Sequence, residues 1–211
     1  MFELAKETDI QDEDLMINFQ NGDSSAFDLL LDRYCSRILF FIMKKLNLPK
    51  ASAEDLMQEV FTRVIEKRNS YDPLKKFSVW LYTVANNRCI DYIRVESKRR
   101  VSSLDSQIAP SESDVTHLEL VKSKDKHPDE ISYNNEIKTQ INAALNTLKD
   151  ELKEVFLLRE IEGLSLNEIS EITGTPLNTV KTRLRTAYLN IRHFLVERSN
   201  IIDTHGMESN N

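Results

Sequence analysis

The sequence predicts an all-α fold: two small helical domains joined by a flexible linker, the second containing a helix-turn-helix. Three observations carry this. The chain holds 4 glycines and 5 prolines in 211 residues, and a strand-rich fold needs more turn formers than that. Apolar residues recur at helical spacing through most of its length. The stretch "GLSLNEISEITGTPLNTVKTRLRTA", Gly163 to Ala187, carries the signals for a helix start, a stop and a restart in order.

Residues 1–23 read as an acidic N-terminal arm. Residues 24–100 read as the first domain. Phe27, Leu31, Tyr34, Ile38, Phe41 and Ile42 mark one buried helical stripe. "LNLPKASAED" breaks that helix, and Ser52, with Asp55 three residues on, is expected to cap the next. Leu56, Val60 and Val64 continue the pattern. "NSYDP" is a turn, because Asn, Asp and Pro each favour one for a separate backbone reason. A further helix is expected over 78–96, with Leu81, Ala85, Cys89, Tyr92 and Ile93 as its inner face.

Residues 101–133 change character. They are rich in Ser and Asp, carry Pro110 and Pro128, and read as an acidic linker with a short helix near 116–122. A flexible coil of that length spans roughly 30 Å, close to one turn of DNA at about 34 Å. Residues 134–197 form the second, all-helical domain, and 198–211 a frayed tail.

Within the second domain, Ser165 and Glu168 fit a capping box, with Leu164 and Ile169 as its hydrophobic staple. Gly174 stands where a helix ends in a left-handed residue. Thr175 can cap the following helix and Pro176 suits its first position, where no amide hydrogen is needed. Val180, Leu184, Ala187, Ile191 and Phe194 give that helix an inside. Asn178, Lys181, Thr182 and Arg185 therefore point outward. The second helix of such a unit enters the DNA major groove, where Arg and Lys pair with guanine edges and Asn with adenine. Arg183, at the edge of that face, suits phosphate.

Net charge is −6, which taken alone argues against a nucleic-acid binder. Its distribution argues for one. From Lys75 to Arg100 there are 7 basic residues against 2 acidic ones, and from Ile172 to Val196 there are 4 basic residues and no acid. Around the tryptophan of "FSVWLYTVANNRCIDYIRVESKRR", the residues Trp80, Thr83, Asn87, Asp91 and Arg94 form one row. An indole beside amides and cations suits unpaired bases. Lys75 and Lys76 before it, and Lys98, Arg99 and Arg100 after it, suit the phosphate backbone. Read alone, the segment equally fits a core tryptophan flanked by solvated charge.

The other constellations are sparse. Cys35 and Cys89 fit no metal spacing, and His117, His127, His193 and His205 form no cluster. No metal, cofactor or small-molecule substrate is expected. No nucleophile–base pair or phosphate loop suggests an enzyme. No run of 18 apolar residues suggests a membrane span. The N-terminus lacks a signal peptide's basic start and apolar run, so a cytoplasmic location is expected.

The segments "AFDLLLDRYCSRI", "AEDLMQEVFTRVIEKRNSYDP", "FSVWLYTVANNRCIDYIR" and "EVFLLREIEGLSLNEISEITGTPLNTVKTRLRTA" together resemble the two signature regions of bacterial RNA polymerase sigma factors of the extracytoplasmic-function (ECF) type. The resemblance covers about residues 20–100 and 134–195. It implies a protein that binds core RNA polymerase, through its β′ coiled coil and β flap, and directs transcription initiation from promoter DNA. It also implies an anti-sigma factor as a partner. By motif match, Asp55, Gln58, Glu59 and Arg63 fall on the polymerase-docking helix. From the residues alone, those positions are equally a plain solvated face. Lys75, Lys76, Phe77, Trp80, Thr83, Asn87, Arg88, Arg94, Lys98, Arg99 and Arg100 match the −10-reading segment. Asn178, Thr179, Lys181, Thr182, Arg183 and Arg185 match the −35 recognition helix. Asn86 stands where the family often has Arg. The rival reading is a helix-turn-helix transcriptional regulator with an N-terminal sensing domain.

Overall fold

A computed structural model describes residues 10–103 and 139–208, with side chains over 10–99 and 139–198. Every regular element among the described residues is helical. The first domain is built from α1 (Asp12–Gln20), α2 (Ser24–Leu46), α3 (Lys50–Lys67), a 3₁₀ turn (Arg68–Ser70) and α4 (Phe77–Ser103). The second holds α5 (139–147), α6 (Asp150–Glu160), α7 (Leu166–Thr173) and α8 (Leu177–Glu208). The expected linker and its short helix lie outside the described residues, except that α4 runs on through 103.

The expected stripe of α2 is buried except at Leu31, which packs at its edge. Phe27, Tyr34, Ile38, Phe41 and Ile42 enter one core with Leu56, Val60 and Val64 of α3. Asp23 starts α2 by accepting the Ser25 amide at 3.0 Å, and Asn47 ends it in the left-handed conformation at φ 52°.

Several expectations are corrected. The N-terminal arm contains α1, and α1 is part of the first domain. Leu15, Met16 and Phe19 are buried, and three acids in its first turn complement the helix dipole. This helix also shapes its neighbours. Gln20 donates to the carbonyls of Arg68 at 2.7 Å and Tyr71 at 3.1 Å. Glu13 accepts the Phe77 amide at 2.9 Å, so the first residue of α4 is capped from another helix. Ser52 is no cap: α3 already starts at Lys50, after Pro49, whose fixed φ suits the entry. Ile93 is 44% exposed rather than inward, because α4 outruns the helices that cover its first half. The tail is not frayed throughout, since α8 continues to Glu208.

The two domains share one continuous apolar cluster, from Leu15 to Ala187. α7 lies along α4, and α6 along α2.

Candidate nucleic-acid interface

The helix-turn-helix is built as its sequence dictates. The Ser165 hydroxyl accepts the Glu168 amide at 3.3 Å, and the Glu168 carboxylate accepts the Ser165 amide at 2.7 Å. Leu164 and Ile169 are both buried beneath this box. Gly174 ends α7 at φ 61°, a conformation that a β-carbon would strain. Thr175 does not cap α8. Its hydroxyl turns back to the Thr173 carbonyl and receives Arg183 at 3.2 Å.

On α8, Val180, Leu184 and Ala187 are buried, while Ile191 and Phe194 are half-buried. Asn178, Thr179, Lys181, Thr182 and Arg185 are all exposed, on the side away from that core. Lys181 and Arg185 make no ion pair among the described residues. Arg183 behaves differently. It reaches Glu151 of α6 at 2.7 Å with its side chain only 22% exposed, so it braces α8 against α6.

On α4, the row Trp80, Thr83, Asn87, Asp91 and Arg94 lies at the surface, with Asn87 and Arg94 exposed and the others half-buried. Trp80 stands edge-on to Tyr71, ring centroids 5.4 Å apart, and tilted against Phe77. Phe77 does not face DNA as the resemblance implies; its ring is fully buried between Tyr34 and Tyr71. It is the floor on which Trp80 rests. Thr83 bonds the Val79 carbonyl at 2.8 Å. Lys98 and Arg99 are exposed, with Arg99 paired to Glu96 at 2.9 Å. The side chain of Arg100 lies outside the described residues.

The loop before α4 is held from inside. The Tyr71 hydroxyl donates to the Lys75 carbonyl at 2.5 Å, and the Lys75 amide donates to the Asp72 carbonyl at 2.9 Å. The loop presents Lys75 and Lys76, and also Leu74, an apolar side chain 95% exposed that sequence reasoning passed over. Both lysines are ion-paired. Lys75 meets Glu171 and Lys76 meets Glu168, each at 2.7 Å. These bonds to carboxylates hold both ammonium groups above their usual range.

On α3, Asp55, Gln58 and Glu59 are exposed and share a face. That face is wired to α4. Glu59 binds Arg88 at 2.6 Å, and Arg63 binds Asp91 at 3.2 Å. The Arg88 bond lowers the Glu59 carboxyl below its ordinary range and raises the guanidinium in turn. Arg88 is only 14% exposed, so it serves as a strut between the two surfaces. Among the described residues, no group of three His, Cys, Asp or Glu side chains could hold a metal ion. No helix among them is long and apolar enough to cross a membrane.

Residues 31–99 match the Sigma-70 region 2 family and residues 138–191 match Sigma-70, region 4. The ECF RNA polymerase sigma factor SigW of Bacillus subtilis is 33% identical over 165 residues, covering 78% of this chain and 86% of its own. The ECF RNA polymerase sigma-E factor of Escherichia coli is 26% identical, covering 83% and 89%. The sigma factor RpoE of Bartonella quintana, solved in complex with the anti-sigma factor NepR, shares the fold at a TM-score of 0.62 and 22% identity, covering 80% of this chain and 96% of that one. With both regions present in order on two helical domains, the chain belongs to the ECF sigma factors of the sigma-70 family, which direct RNA polymerase to promoters.

Proposed function

We propose that the two outward rows divide promoter recognition between them. The observation that carries this is their placement: Asn87 on α4 and Lys181 and Arg185 on α8 are exposed, and each row is backed by a packed core. The row on α8 enters the −35 major groove. Each good base contact there discriminates by about 1–3 kcal/mol. The row on α4 takes a base from the melted −10 strand. Extracting that base costs a few kcal/mol, which stacking of about 1–3 kcal/mol per base and amide contacts offset. Lys75, Lys76, Lys98, Arg99 and Arg100 hold phosphates and fix the register.

The exposed face of α3, with Asp55, Gln58 and Glu59, docks on the polymerase β′ coiled coil, and the second domain meets the β flap. Arg63 and Arg88 tie that docking helix to the −10 reader, so that the polymerase sets the reader's position. Arg183 positions α8 through Glu151. The chain contributes no catalytic residue; polymerase does the chemistry. It works in the cytoplasm, and an anti-sigma factor is its expected antagonist. The rival reading, a regulator with a sensing domain, does not account for the Sigma-70 region 2 match of the first domain.

Run-off transcription with core polymerase on a randomised promoter library tests this. The expected product set carries two sequence elements at a fixed spacing, and the chain co-purifies with core polymerase. Failure to support any initiation, or binding to palindromic duplex as a dimer without polymerase, would overturn it.

A further inference from the structure

The seam between the domains has a consistent polarity. Lys75 meets Glu171, Lys76 meets Glu168, Lys45 meets Glu154 at 2.6 Å, and Arg37 meets Glu162 at 2.7 Å. In all four pairs the cation belongs to the first domain and the carboxylate to the second. Two pairs are anchored in depth. Lys45 is 6% exposed and the Glu162 side chain 1% exposed. The other two are at the surface, with the lysines 54% and 68% exposed.

A fifth contact is a backbone one. The carbonyl of Ile172 lies in the last turn of α7, which ends at Thr173, so no intrahelical amide reaches it. Asn86 of α4 supplies the missing donor at 3.3 Å. Its side-chain oxygen accepts from Lys45. Asn86 is thus buried and satisfied on both sides, and it completes the C-terminal end of a helix in the other domain.

We propose that α7 is an intramolecular occupant of the first domain's phosphate-holding loop: Glu168 and Glu171, one turn apart, stand on Lys75 and Lys76 where the promoter backbone would. The free chain is then closed, and this loop is withheld from DNA until α7 undocks. The row Trp80–Asn87 stays uncovered, since Tyr82 and Asn86, which face the second domain, lie on the other side of α4. The pairs at Lys45 and Glu162 and the surface pairs at Lys75 and Lys76 hold the domains closed together, and loss of the surface pairs lets α7 undock. The proposal rests on the assignment of Lys75 and Lys76 to DNA.

The test uses the full chain. Glu171→Lys combined with Glu168→Gln removes both surface pairs. Glutamine keeps the capping-box bond to Ser165, so α7 still starts correctly. Glu66→Lys, on the exposed face of α3, controls for most of the added positive charge, raising the net charge by two against three for the double variant. Two quantities are read: the radius of gyration by small-angle scattering, and affinity for a short mixed-sequence single-stranded DNA by fluorescence anisotropy. The expected result is a larger radius for the double variant and DNA binding about fivefold tighter than that of Glu66→Lys at low salt. The unmodified chain should also expand as salt rises, because exposed pairs are screened. No expansion, by mutation or by salt, overturns the closure. Expansion without tighter DNA binding overturns the competition and removes Lys75 and Lys76 from the DNA site, while the run-off assay decides the sigma-factor reading independently.

Discussion

α4 and α8 are both long helices with an apolar inside and a polar outer row, yet they hold their cations differently. On α8, Lys181 and Arg185 stand exposed with no ion pair among the described residues. On α4 and the loop before it, Lys75, Lys76, Arg88 and Arg94 all have carboxylate partners. On the proposed assignment, the helix that reads duplex DNA is presented ready-made, and the one that reads melted DNA is braced from below and gated from the side. A stacking platform would account for the bracing. A duplex groove accepts a helix as a rigid body, whereas a base taken from the stack needs a surface already in place when it arrives.

The comparison can be broken first at the floor of α4. Phe77→Ala should destabilise the first domain by about 3–5 kcal/mol, the usual cost of emptying a buried aromatic site. A urea melt followed by circular dichroism reads this. A loss below about 1 kcal/mol would put Phe77 outside the core that supports Trp80. Next comes the platform itself. Trp80→Ala should weaken promoter opening by about 1–3 kcal/mol while polymerase binding stays unchanged, as measured by permanganate reactivity of the melted strand alongside co-purification. Equal losses in both assays would make Trp80 a structural residue.

On the α8 side, Ser165→Ala removes the cap of α7 and should cost about 1 kcal/mol of second-domain stability, seen as a lower melting temperature. An unchanged melt would mean that the box contributes nothing. The smallest effect concerns the strut. Glu59→Gln removes the charge from a half-exposed pair with Arg88 and should cost about 0.2–1 kcal/mol near neutral pH. The folded carboxyl lies below its ordinary value of 4.5, so the pair's contribution is complete above that value and fades as pH falls beneath it. The two stability curves should converge in acid, and parallel curves down to low pH would remove the pair from the account.

The second domain was legible because its signals are local. Ser165, Glu168 and Gly174 act within one helix turn of themselves, and the stripe Val180–Ala187 follows from period alone. The first domain was legible in its stripes and less so in its details. Helix α1 is obscured in the sequence because its acidic first turn masks the short apolar pattern Leu15, Met16 and Phe19. Phe77 joined the −10 segment only through the motif match of the loop over 75–77; the neighbouring rings of Tyr34 and Tyr71 show it to be core. The seam was not legible at all. Nothing in the spacing of Lys45, Asn86 and Glu154 announces that they meet, since contacts between residues 41 and 109 positions apart depend on tertiary packing.

The account is tested most directly by sorting variants by promoter element. Lys181→Ala with Arg185→Ala, and separately Trp80→Ala with Asn87→Ala, should be assayed by run-off transcription on the same promoter library. The first pair should flatten sequence preference at the upstream element only, by about 1–3 kcal/mol per lost contact, and the second pair at the downstream, melted element only. If both pairs erode the same element, or neither alters preference, the division of labour between α8 and α4 is wrong.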